Sequence, residues 1–209
     1  MDFGTLPRMA WDTARTKQLL LDAAVVEFAE FGPAGARVAR IAQRAGVNKE
    51  RIYQYFGSKE ALFIAVLDAE LQRFAAALPM DAGDPGDLGA YAAQVFDYHH
   101  RNPHVARLLA WEGLHHQDAF AFASEDERTG HYDANVAVLA RAQASGAVPG
   151  DVPAAQLVYA VLALSASWFI LPQLGRMLLP ELAAAQAEAQ RDALAALIAR
   201  LVAPGAVAG

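Results

Sequence analysis

A chain of 209 residues, 55% hydrophobic with a formal charge of −6, can fill one sizeable core or two smaller ones and reads as a folded, soluble protein. The absence of cysteine excludes a disulfide framework and thiolate metal sites, which leaves histidine and carboxylate as the only metal ligands. The opening segment MDFGTLPRMAWDTARTKQ is mixed and polar, with no basic, apolar leader, so the expected location is cytoplasmic.

The first helix is expected from about Thr13 to Phe31, with Leu20, Leu21, Ala24, Val25 and Phe28 on one stripe and Gly32-Pro33 as its stop. A short second helix carries Val38, Ile41, Ala42 and Ala45 on its apolar side, holds Arg40, Gln43 and Arg44 off it, and ends at Gly46. Asn48 is positioned to cap a third helix through Phe56, and Gly57 breaks it. Ser58 then caps a fourth helix to about Leu78, and Pro79 to Asp87 reads as a linker. Further helices follow over about Asp87–Arg101, Pro103–His115 with Asn102 as cap, Ser124–Ser145 closed by Gly146, Pro153–Leu171, and Pro180 or Glu181 to Val202. In the last of these, Leu182, Ala189, Ala193, Leu197 and Leu201 form the packing stripe. No strand signal appears, so the expected fold is all-α. It comprises an N-terminal domain over 1–60, continuing into a connecting helix to about 78, and a helical domain over 79–209.

Charge is distributed unevenly. Residues 1–60 hold nine Lys+Arg against seven Asp+Glu, and the remaining 149 hold eight against sixteen. Six of the seventeen basic residues fall between Arg37 and Lys59, interrupted only by Glu50. A polyanion is met by a local positive face, because screening limits exposed charges to roughly 8–10 Å of reach, so the negative total does not oppose nucleic-acid binding.

Two short helices joined by a tight turn containing glycine describe a helix-turn-helix, whose second helix enters the DNA major groove. Advancing about 100° per residue, the expectation places Ile52, Tyr53 and Phe56 on the anchoring side of the third helix and Glu50, Arg51 and Gln54 on the reading side. Arginine can bridge guanine O6 and N7, glutamine can pair with adenine, and glutamate can accept from cytosine N4. Lys49 reaches a base edge or a phosphate; Ser58 and Lys59 open an anion site at the fourth helix. Tyr55 and Arg37 are candidates for further backbone contacts.

The stretches LLDAAVVEF, IAQRAGV and IYQYFGSKEALF resemble the DNA-binding domain of TetR-family transcriptional regulators over residues 13–73. The resemblance implies an all-helical homodimeric repressor with its third helix in the groove and a C-terminal domain that binds a small effector. It also implies that Lys49, Glu50, Arg51 and Gln54 face bases while Tyr53, Tyr55 and Lys59 touch the backbone. Two positions depart from the family pattern: Arg37 stands where Ser or Thr caps the second helix, and Ala39 where relatives often carry a charged residue. Arg37 cannot accept amide hydrogens, so that cap is expected to fray or to fall to nearby carbonyls and water.

Val152 to Gly175 contains no charged residue and is long enough to span a bilayer. Gln156, Ser165, Ser167, Pro172 and Gln173 argue instead for a buried helix that, with the last helix, forms a four-helix dimer seam. Two reading heads about 34–36 Å apart would then address an approximately palindromic operator. Between linker and seam lie Phe96, Tyr98, Trp111, Phe120, Phe122 and Tyr132; Phe96, Trp111 and Tyr132 are the expected apolar contacts of an effector, and His115 and Asn135 its polar ones. On this reading Trp111→Ala should blunt induction and spare operator affinity. The alternative is a metal-responsive regulator or metal enzyme built on His99, His100, His104, Glu112, His115 and His116, although Asn102-Pro103 interrupts that set. No phosphate loop, nucleophile elbow or other catalytic constellation is present, so the chain is read as a regulator rather than an enzyme, with no cofactor or metal.

Overall fold

The computed structural model describes residues 6–80, 84, 86–115 and 125–203, with side chains from Thr13 onward except that of Glu127. The described residues form eleven helices and no strand: α1 (Leu6–Gly35), α2 (Val38–Ala45), α3 (Glu50–Phe56), α4 (Lys59–Ala77), α5 (Leu88–Arg101), α6 (Pro103–His115), α7 (Glu125–Ala144), α8 (Ala154–Ile170), α9 (Pro172–Leu178), α10 (Pro180–Ala184) and α11 (Ala187–Leu201). They divide into two compact units, one within Met1–Glu70 and Arg107–Ala123, the other within Leu71–Ala106 and Ser124–Gly209.

In the first unit the core is the stripe that the periodicity of α1 demands. Leu20, Ala24 and Phe28 are fully buried with Ile41 of α2, Ile52 of α3, Leu62 and Val66 of α4, and Leu108 of α6. Phe28 and Phe63 meet edge to face at 5.1 Å. Each fully buried Leu, Ile or Phe contributes about 1.5–3 kcal/mol, and this holds helices as short as α2 and α3, which would not persist alone. α1 departs from helical geometry at Gly32 (φ 66, ψ 172), where the following proline disfavours a helical ψ. The chain makes one more turn to Gly35. A Cβ on Gly32 would stand 2.8 Å from Cδ2 and Cε3 of Trp111, so the indole lies directly on this backbone. Gly46 closes α2 in the left-handed region (φ 68).

Two expected caps are placed differently. The residue before α3 is Lys49, without a side-chain cap, and Asn48 serves through its carbonyl, accepting from the Arg51 amide at 3.1 Å. Asn102 turns its amide nitrogen back to the Tyr98 carbonyl of α5 (3.0 Å), while its own carbonyl accepts from Val105. Ser58 caps α4 as expected, its Oγ accepting from the Ala61 amide at 3.0 Å.

In the second unit α5 packs against α8 and α11. Asp87 caps α5 by accepting from the Ala90 amide at 2.8 Å, and Ser165 of α8 donates to the Val161 carbonyl at 2.7 Å. Phe96, Trp168 and Phe169 cluster, with Phe96 5.1 Å from Phe169 and 6.2 Å from Trp168. Prolines 172 and 180 stop α8 and α9 by forcing the preceding residues out of helical geometry: Leu171 has ψ 49 and Leu179 ψ 56. No single helix among the described residues is long and apolar enough to cross a membrane; α8 and α9 reach that length only as a pair bent by 88°.

The expected single helix over residues 180–202 is two helices. Ala185 and Gln186 are extended (ψ 168 and 154), and Gln190 ties the break by donating to the carbonyls of Leu182, Ala183 and Ala185 at 3.2–3.3 Å. The stripe also differs. Leu194 and Ile198 are buried, whereas Leu197 and Leu201 are 49% and 52% exposed.

Candidate nucleic-acid interface

Ile52 anchors α3 with no exposed surface, and Lys49, Glu50, Arg51 and Gln54 are exposed. Arg51 Nη1 donates to Gln54 Oε1 at 2.8 Å, joining the two side chains one helical turn apart. Tyr53 is a correction: it is 52% exposed, and the tyrosine packed on the core is Tyr55, beside Phe56. The helical wheel explains this, because residue 53 lies about 100° from Ile52 while residue 55 lies only about 60° from it. The Tyr55 ring has Lys17 Nζ at 5.7 Å and Arg51 Cζ at 5.9 Å from its centroid.

Near the turns, Lys59 Nζ donates to the Ala36 carbonyl at 3.3 Å, and the Ser58 hydroxyl is engaged as a cap. The Arg37 side chain is exposed, but its amide is not frayed: it donates to Glu27 Oε1 at 2.8 Å. Glu27 is 1% exposed on α1, and the same oxygen accepts from Arg40 Nε at 2.7 Å, with Nη2 at 2.6 Å. Arg40 also donates to the Gly35 carbonyl at 3.2 Å and lies 4.3 Å from the Phe31 ring centroid. Desolvation pushes the Glu27 carboxyl up. The hydrogen bonds from Arg40 and the Arg37 amide, with the charges of Arg40 and Arg44, outweigh it and hold the group below the ordinary carboxylate value. The sequence reading missed this residue. Its signal is position: Glu27 stands seven residues after Leu20 and beside Phe28, on the buried stripe of α1.

The expected effector residues fall in both units. Trp111 and His115 belong to the first, where His115 Nδ1 lies 3.2 Å from the Trp111 carbonyl. Phe96, Tyr132 and Asn135 belong to the second. Asn135 is buried, its Nδ2 donating to the Tyr91 hydroxyl at 3.4 Å with His131 Nε2 3.3 Å away. Burial, then the neighbouring Tyr132, push the Tyr91 phenol up to about 12, opposed by the Asn135 hydrogen bond. The second unit also holds a cavity of about 350 Å³ where α8, α9, α10 and α11 meet, lined by Trp168, Leu174, Leu178, Leu179 and Leu194 with Arg176 as its cation. Phe120, Phe122 and His116 lie outside the described residues. Among the described residues no three His, Asp or Glu side chains are placed to share a metal ion.

A short anchored helix carrying a polar, cationic outer face after a glycine turn, with a second all-helical unit, defines a helix-turn-helix transcriptional regulator. Residues 20–66 match the bacterial regulatory proteins of the tetR family, and residues 87–200 match the tetracyclin repressor-like C-terminal domain. The chain is 37% identical over 169 residues to the HTH-type transcriptional repressor SCO4008 of Streptomyces coelicolor, covering 81% of this chain and 86% of that protein. It is 41% identical over 105 residues to the repressor NicS of Pseudomonas putida, covering 48% of this chain and 50% of NicS. The crystal structure of the putative transcriptional regulator SCO4942 from Streptomyces coelicolor superposes with a TM-score of 0.77 at 29% identity, over 90% of this chain and 98% of that one. This chain belongs to the TetR family.

Proposed function

We propose that the protein acts as a homodimeric repressor, binds an approximately palindromic operator, and leaves it when a small molecule occupies the second unit. The observation that carries the DNA contact is the division of α3, with Ile52 fully buried and the hydrogen-bonded Arg51 and Gln54 facing outward. Arg51 reads guanine, Gln54 adenine and Glu50 the cytosine amino group, while Lys49 reaches a base edge or phosphate. Arg37, Tyr53, Tyr55 and Lys59 hold the backbone and set register. Repression is supported by the likeness to SCO4008, which is named a repressor.

Dimerisation is supported by the apolar surface of α9 and α11. Leu174, Met177, Leu178, Leu197 and Leu201 are 45–69% exposed, and neither α9 nor α10 buries a residue in its own chain. Tyr132 and Asn135, with Phe96, are the effector contacts in the second unit. A cytoplasmic location follows from action on the chromosome.

The test is selection of bound sites from a random DNA pool, then affinity measurements at two salt concentrations. The expected half-site is one whose base preference relaxes most at one position in Arg51→Ala and most at another in Gln54→Ala, with a smaller change at the position of the coupled side chain, each substitution costing about 1–3 kcal/mol. Recovery of no preferred sequence, or of one that neither substitution alters, would refute the reading.

A further inference from the structure

We propose that Glu27 is a positioning residue for the reading helix, its carboxylate tying α1 to the backbone that enters α2 and to the first turn of α2. The first amides of any helix lack intrahelical partners, and a side chain at the residue before the helix ordinarily accepts from one. Arg37 holds that position in extended geometry (φ −117, ψ 120) and makes no side-chain cap. Glu27, ten residues upstream, holds this junction at a different amide, that of Arg37 itself, which donates to Glu27 Oε1 at 2.8 Å.

A serine or threonine at position 37 would accept from an amide inside the first turn of α2 and leave its own amide, the one Glu27 takes, unmet. Glu27 also fixes where α2 lies, because the same oxygen holds Arg40 at Nε, and the guanidinium is seated on the Gly35 carbonyl and the Phe31 ring. One carboxylate therefore joins α1, the connection before α2, and the first turn of α2. That helix has eight residues and only Ile41 and Ala42 buried, so its apolar grip is small. The turn at Gly46 passes its placement directly to α3. Glu27 is 1% exposed, and its Oε2 has no partner. A buried acid half-satisfied in this way is retained at a cost and is expected to serve a placement that packing alone does not secure.

The test is a cycle of Glu27→Ala and Arg40→Ala, with Glu27→Gln as the conservative variant, read by amide hydrogen exchange at Arg37 and by affinity for the selected operator. In the Arg40 chain, Glu27→Ala is expected to speed exchange of the Arg37 amide at least tenfold and weaken operator binding about tenfold, with helicity unchanged. Glu27→Gln keeps an acceptor and should preserve most of the exchange protection while losing part of the affinity. In the Arg40→Ala chain, whose α2 no longer reaches the carboxylate through its guanidinium, the further affinity loss from Glu27→Ala should shrink to threefold or less. Equal losses in both backgrounds, or unchanged Arg37 exchange in Glu27→Ala, would overturn the proposal. If Glu27→Ala does not fold, Glu27→Gln decides: full affinity in that variant overturns the role of the charge. The affinity arm rests on the DNA reading above; a wild-type chain that selects no DNA refutes that reading and leaves the exchange arm to judge Glu27.

Discussion

His99 should make the second unit lose stability in mild acid. The side chain is 2% exposed on α5, with Phe74, Phe169 and Tyr98 ring centroids at 5.5, 5.7 and 6.3 Å, and its Nδ1 has no hydrogen-bond partner. Burial lowers its pKa from 6.5 to about 4. The folded pKa is depressed, so between those values the unfolded chain binds a proton that the folded chain refuses, and stability falls as pH drops through that window. Each pH unit is worth about 1.4 kcal/mol, so the loss between pH 6.5 and pH 5 is about 2 kcal/mol, and about 3 kcal/mol by pH 4. The measurement is urea unfolding of the wild type and of His99→Phe at pH 7 and pH 5, taking the difference of differences. Other titrating groups, His131 among them, remain in both chains and cancel. Phenylalanine suits the surrounding rings, so the wild type should lose about 2 kcal/mol more than the variant. Equal losses would refute the argument, showing that the folded chain protonates this imidazole as readily as the unfolded one.

Gly32→Ala should destabilise the first unit by about 2–5 kcal/mol, since the residue sits at φ 66 and its new methyl would meet the Trp111 ring at 2.8 Å. In a Trp111→Ala background only the backbone part, about 1–2 kcal/mol, should remain, and thermal unfolding of the four chains separates the two. The same packing revises the expectation for Trp111→Ala, which should weaken the DNA-binding unit as well as any response to effector. Ser58→Ala removes the cap of α4 and should cost about 1 kcal/mol by denaturant titration; no loss would mean that the Ala61 amide finds another acceptor. Leu197→Asp should yield monomers by light scattering at micromolar concentration and weaken operator binding with them, whereas a dimer of full affinity would place the seam elsewhere.

The legible parts of this chain were those that local chemistry decides. The stripe Leu20–Ala24–Phe28, the left-handed glycine at 46 and the serine cap at 58 each follow from spacing or from a backbone requirement that few residues meet. What escaped was decided by partners distant in sequence. Nothing near Arg37 announces that Glu27 will take its amide, and nothing in Ala185-Gln186 resembles a breaker until Gln190 supplies acceptable partners for the freed carbonyls. Tyr53 and Tyr55 show a finer limit: in a seven-residue helix, rings about 100° and about 60° from the anchoring Ile52, on opposite sides of it, are the open one and the packed one. Leu197 and Leu201 were expected on the packing stripe, but a repeat in sequence does not say which apolar face stays inside its own chain, and here Leu194 and Ile198 took that place.

The hydrogen bond between Arg51 and Gln54 bears on how an operator would be spelled. Two side chains that share a contact cannot choose their letters independently. A base change opposite one would release or recruit the other, so the tolerated variants of a half-site should come as matched pairs of substitutions. A scoring scheme that sums one column at a time would then misrank the sites at which this regulator acts.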